Sequence, residues 1–240
     1  MNKTWTRIVI VVIAAAAVAF WVFFDRQRAP ERQMDNALNE MPAWQVIKEQ
    51  EPALHQRILD QMAALQKAGE PEQQIIDTIQ PQILHLQMTR LQNAPDANVV
   101  NYMTINMEQT AAIQKVSDDA CFRFLYPMVK GGINPMRMLD KDLMARRMQA
   151  DADMMRAAYG KNRHTVTQVE REAAVEDVRP IMKQLADQYG EDIQLLQMPE
   201  KAAGKEKLSC DMVQDMWAKV LALPEQKAAG VIRLAVSELD

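Results

Sequence analysis

Glycine is scarce in this 240-residue chain, at 7 residues, and Phe, Trp and Tyr together make up only 5% of it. Sheets draw on aromatic and β-branched residues, so that shortage argues against a β-protein. The 18 methionines suit helices instead. Catalytic signatures are missing as well: there is no G-x-S-x-G, H-E-x-x-H, Walker loop or G-x-G-x-x-G. Gly131-Gly132, within "VKGGIN", lacks the following Lys-Ser/Thr that a phosphate cradle needs, and reads as a helix-terminating turn. The three histidines, His55, His85 and His164, never share the i, i+4 spacing of a helical metal pair and are expected at the surface or its boundary. The acidic pairs Asp118/Asp119, Asp140/Asp142 and Asp151/Asp153 are one or two apart, so a helix points their members in different directions, as for capping and solvating charges. A nucleophilic Cys121 would need a histidine that no local motif supplies. The expectation is a protein that is not an enzyme, with no cofactor and no resident metal.

Only one long apolar run is present, from Ile8 to Phe24, with no charged residue, glycine or proline in it. At about 1.5 Å per residue it is just long enough to cross a hydrocarbon core. It is apolar on every side, unlike a soluble core helix, and Trp5 and Trp21 lie near its ends, at headgroup level. Ala17-Val18-Ala19 has the small-x-small form of a signal-peptidase site, but the run continues through Phe20, Trp21, Val22, Phe23 and Phe24, which favours retention as an anchor. Lys3 and Arg7 before the span balance Arg26, Arg28 and Arg32 after it, so charge alone does not orient it. A short n-region, residues 1–7, leading into the first apolar segment fits a signal-anchor. Residues 1–7 are then cytoplasmic, 8–24 transmembrane and 25–41 a polar stalk. The expected location is a bacterial inner membrane, single-pass, with the bulk of the chain in the periplasm. Without Lys3 and Arg7 the rest has 26 basic and 32 acidic residues, a formal charge of −6. That is a poor start for gripping phosphates, so no nucleic-acid partner is expected.

There are two cysteines, Cys121 and Cys210. In an exported chain an even count favours a disulfide, the alternative being two buried free thiols. Prolines 42, 52, 71, 95, 135 and 224 each fall where an amphipathic run starts, and glycines 69, 160 and 190 fall just past run ends, where a left-handed cap is cheapest for glycine. This punctuation predicts an all-α fold: an irregular multi-helix domain following the anchor. Pro81 is expected to kink one helix and Pro180 to interrupt another. A long helix is expected from Pro135 to Tyr159, with N-caps at Ser117 or Asp118 and at Ser209. "MPEKAAGKEK", 198–207, reads as a flexible connector. "PMVKGGINP", 127–135, is the clearest break, dividing a first helical segment, 42–126, from a second, 127–240, joined to it by Cys121–Cys210.

Two stretches are candidates for binding. Met136 to Gly160 contains Met136, Met138, Met144, Met148, Met154 and Met155, with an apolar sector spanning nearly half a helix. Methionines at this spacing fill a core, line an adaptable partner groove, or ligate Cu(I) through soft sulfur. Arg147 and Asp151, four apart, are expected at the edge of that sector with their heads in water, or else as a specificity-setting contact in an interface. "CFRFLYP", 121–127, concentrates Phe122, Phe124 and Tyr126 into a core nucleus beside the disulfide or an aromatic anchor for a partner. The candidate partner-binding set is therefore Phe122, Phe124, Tyr126, Met144, Arg147, Met148 and Met155. The expected function is a membrane-anchored periplasmic protein-binding domain. It would serve as a subunit of an envelope complex, an assembly factor or chaperone, or an inhibitor, and its partner would be another envelope or exported protein. The alternative is a Met-rich copper or small-ligand binder.

Overall fold

Proline and glycine set most helix ends in the computed structural model, which describes residues 35–36 and 38–237. The expected anchor at 8–24 and most of the stalk lie outside the described residues. The first two helices, α1 (Pro42–Gln50) and α2 (Pro52–Ala68), open on proline, where a missing N–H costs nothing, and Gly69 closes α2 at φ 75°. Pro71 and Pro95 each stand one residue ahead of α3 (Glu72–Asn93) and α4 (Asp96–Val116). Ser117 Oγ then accepts from Ala120 N at 3.2 Å to start α5 (Asp118–Leu125). A single turn, α6 (Pro127–Lys130), leads to a 3₁₀ turn at Pro135–Arg137. The remaining helices are α7 (Lys141–Tyr159), α8 (Gln168–Tyr189), α9 (Glu206–Leu221) and α10 (Glu225–Ser237). Further 3₁₀ turns occupy Gly190–Leu196 and Pro199–Lys201. No strand occurs among the described residues, and none of their helices is long and apolar enough to cross a membrane.

Five local expectations are corrected. Pro135 opens only the 3₁₀ turn; α7 starts at Lys141, because Asp140 Oδ1 accepts from Leu143 N at 2.8 Å and caps it. Ser209 is not a cap, since α9 already starts at Glu206 and Ser209 is buried within it. Gly160 ends α7 in an extended rather than a left-handed conformation, φ −75°. Pro180 lies inside an unbroken α8, as Pro81 lies inside α3. The 198–207 connector is pinned rather than loose: Ala202 is fully buried and Lys205 Nζ reaches Asp192 Oδ1 at 2.6 Å.

The main core joins both sides of the 127–135 break. Ile58, Leu91, Val99 and Tyr102 from the first segment pack in one cluster with Met154, Leu185, Val220 and Ile232 from the second. Helix α4 lies against α7, α10, α5 and α9, and α7 also packs on α1 and α3. The Pro127–Pro135 stretch is accordingly a turn in a shared body and does not separate two cores. A smaller cluster, with Ile113, Phe122, Leu195 and Met212, surrounds the two cysteines.

Candidate functional site

Helices α5 and α9 bring Cys121 and Cys210, 89 apart in sequence, to disulfide distance with Cα atoms 6.3 Å apart, and both are fully buried. Phe122 follows Cys121 inward and is 2% exposed, while its ring lies 5.1 Å from that of Tyr126. Burial pushes the Tyr126 phenol up to about 12. Phe124 is half-buried and packs on the same cluster. The aromatic segment thus lines the core around the disulfide. Phe122 offers a partner nothing, because the amphipathic face of α5 turns it toward α9.

The methionine helix α7 is enclosed on more sides than its sequence pattern implies. Met154 and Met155 are interior, at 0% and 1% exposure, while Met144 and Met148 are half-buried. Met155 therefore does not share an open stripe with Met144 and Met148, which weakens both the groove and the copper readings of this helix. Arg147 and Asp151 depart furthest from expectation. Both are buried, with Arg147 Nη2 2.9 Å from Asp151 Oδ1 and the guanidinium 4.3 Å from the centre of the Tyr102 ring. Because α4 and α3 cover this part of α7, the pair is largely shielded from water and each charge is offset mainly by the other. Burial raises the Asp151 carboxyl above its ordinary range, against the attraction of Arg147, and raises the Tyr102 phenol too. Arg147 Nη1 has no acceptor among the described residues.

Two of the three histidines have specific partners. His55 is buried rather than superficial: its Nε2 lies 2.8 Å from Asp35 Oδ1, and its ring lies 4.7 Å from that of Trp44. Trp44 Nε1 at 3.0 Å and Lys48 Nζ at 2.5 Å donate to the same carboxylate. Burial pushes the Asp35 carboxyl up, but the three hydrogen bonds outweigh it and hold the group well below the usual carboxylate range. This clasp fastens the end of the expected stalk to α1 and α2. His164 Nε2 faces Glu170 Oε2 at 2.7 Å. His85 is exposed on α3. Among the described residues no three His, Cys, Asp or Glu side chains converge as a metal site.

An open groove of about 500 Å³ runs between the Pro81 turn of α3 and the short α6. Pro81, Leu84 and Met88 form one wall, Pro127 and Met128 the other, and Asp77 stands with them among the lining side chains. Three apolar side chains on these two elements are left uncovered: Met128 is 81% exposed, Val129 42% and Leu84 37%.

The glycine pair fixes the shape of one end. Arg123 donates to Gly131 O at 3.2 Å and Gly132 O at 2.7 Å, while Gly132 N donates to Asp77 Oδ1 at 3.2 Å. Gly131 sits at φ 78°, and a Cβ on Gly132 would collide with Gln80 Oε1. Lys130 reaches Asp119 at 2.5 Å and Glu206 at 2.9 Å, tying α6 to α5 and α9.

Sequence reasoning missed this groove. In sequence Leu84 is apolar like its neighbours Ile83 and Leu86, and Met128 falls within the 127–135 break. The available signal was one proline in each wall, Pro81 and Pro127, with a glycine pair just beyond. Fold and groove together define a class, an all-helical body with a buried cysteine clasp and an open apolar cleft on one side. No protein-family model, curated protein or solved structure matches this chain.

Proposed function

We propose that this protein is a membrane-anchored helical binding domain, held in the bacterial periplasm, which engages another envelope or exported protein. One observation carries the reading: the α3–α6 groove places Leu84 and Met128, 37% and 81% exposed, together on an open surface. Exposed apolar residues scattered singly are ordinary, but a contiguous concave set marks a binding surface. Its volume falls within the range of about 300–1,000 Å³ typical of ligand clefts, enough for one or two anchoring side chains. The groove replaces α7 and the 121–127 segment as the binding surface.

The periplasmic location rests on the Ile8–Phe24 run and its short n-region, and a disulfide between Cys121 and Cys210 suits an oxidising compartment. Photo-crosslinking amino acids at Leu84 and Met128 of the full chain, in intact cells, test the reading. One companion should be captured reproducibly from both groove positions and not from Val169 on α8. Adducts that are absent, or equally frequent at Val169, refute it. A reporter fused after Asp240 that works only inside the cytosol refutes the location.

A further inference from the structure

Resting on that reading, we infer that the groove takes a segment of the partner protein in which a bulky apolar side chain is followed within a residue or two by a lysine or arginine. The apolar half follows from the walls, since Pro81, Leu84, Met88, Pro127 and Met128 present carbon and thioether surface. The cationic half follows from Asp77. Among the described residues it is the only acidic side chain lining the groove and no lysine or arginine lines it; the other polar side chains there are Gln80 and His85, and Asp77 is exposed.

The partners Asp77 does have are neutral. Its Oδ1 accepts from Gly132 N at 3.2 Å and Gln73 Nε2 at 2.8 Å, while Oδ2 accepts no hydrogen bond among the described residues. The nearby cations are committed elsewhere: Arg123 to the carbonyls of Gly131 and Gly132, and Lys130 to Asp119 and Glu206.

Pro81 shapes the turn that carries Asp77. It has no N–H, so the Asp77 carbonyl four residues earlier loses the donor that a regular helix would give it. Asp77 therefore offers a carboxylate oxygen beside a turn that lines the groove. An ammonium or guanidinium group satisfies that carboxylate, whereas an acidic segment or a bare acyl chain does not.

Fluorescein-labelled decapeptides and the full chain reconstituted in phosphatidylcholine nanodiscs provide the test. One peptide carries Leu-Phe-Lys at its centre, a second Leu-Phe-Glu and a third Ser-Ser-Lys. The Leu-Phe-Lys peptide should bind about tenfold more tightly than either of the others, as attraction at Asp77 gives way to repulsion or the anchor is lost. Leu84→Glu and Met128→Glu, both at exposed positions, should weaken it by about tenfold. Asp77→Asn keeps the Oδ1 acceptor and should reduce the Lys-over-Glu preference to about threefold or less without changing the Tm. Equal binding of the Lys and Glu peptides, or a preference that survives Asp77→Asn, overturns the cationic assignment. Binding indifferent to both glutamate substitutions, or no peptide binding at all, removes the groove as the docking site. Should the peptides fail while crosslinking from another face captures one constant companion, the binding function stands and this inference falls.

Discussion

Replacing Arg233 with methionine should destabilise the domain by about 2–3 kcal/mol. Arg233 on α10 is 1% exposed, and its Nη2 donates to Ala94 O at 2.6 Å and Asp96 Oδ1 at 2.7 Å, while Nη1 donates to Glu170 Oε1 at 2.9 Å. One guanidinium therefore joins α10 to the α3–α4 elbow and to the first turn of α8. Removing one partner of a fully buried ion pair costs roughly 3–5 kcal/mol. Two features reduce that here. The Asp96 and Glu170 side chains keep 30% and 23% of their exposure and can recruit water. Arg233 Nε already lacks an acceptor among the described residues, so methionine also relieves one unmet donor. The carbonyl of fully buried Ala94 is left with less, which sets the lower bound.

For a domain of this size each kcal/mol moves the midpoint by about 2–4 °C, so Tm should fall by about 4–12 °C. Thermal unfolding followed by circular dichroism, with the disulfide intact, measures this. Arg233→Lys should recover less than half the loss, because an ammonium cannot fork between the Ala94–Asp96 and Glu170 sides. A double-mutant cycle with Glu170→Gln should show a coupling of about 1 kcal/mol. A Tm within about 1 °C of the parent, or full rescue by lysine, would refute the reasoning.

Reduction of Cys121–Cys210, or serine at both positions, should cost up to about 4–5 kcal/mol from the loop of 89 residues it closes, read as a lower denaturant midpoint. An unchanged midpoint would show that the link contributes nothing. For Asp35, the folded-state pKa lies below its ordinary value of 3.8, so the clasp stabilises at full strength above that pH and is lost as pH falls below it. Asp35→Asn should therefore flatten the acid limb of the stability profile below about pH 4 and lower stability at pH 7, both measured by urea titration. Parallel profiles for the two proteins would count against the clasp. Arg147→Met should cost about 3–5 kcal/mol by stranding Asp151, whereas Arg147→Met with Asp151→Leu should recover most of it, as unfolding curves would show. Equal losses in the single and double variants would mean the pair is not mutually compensating.

By itself the sequence determined what depends on a residue and its near neighbours. Pro42 and Pro52 start helices, Gly69 stops one and Ser117 caps another, because a missing N–H, a left-handed φ and a side-chain oxygen act within one turn of backbone. Two cysteines allow only one internal pairing, so Cys121–Cys210 needed no fold to be named. Only the tertiary structure decided what covers each helix. Arg147, Asp151 and His55 have the polar pattern of boundary residues, yet α3 and α4 close over the first two, and Asp35 and Trp44 reach the third. Ala202 plugs a core from within a charged connector, while Leu84 and Met128, apolar like their buried neighbours, remain uncovered beside Asp77. Helical periodicity says which residues share a face. Whether another helix lies on that face depends on chain brought in from tens of residues away, and that arrangement opened the groove.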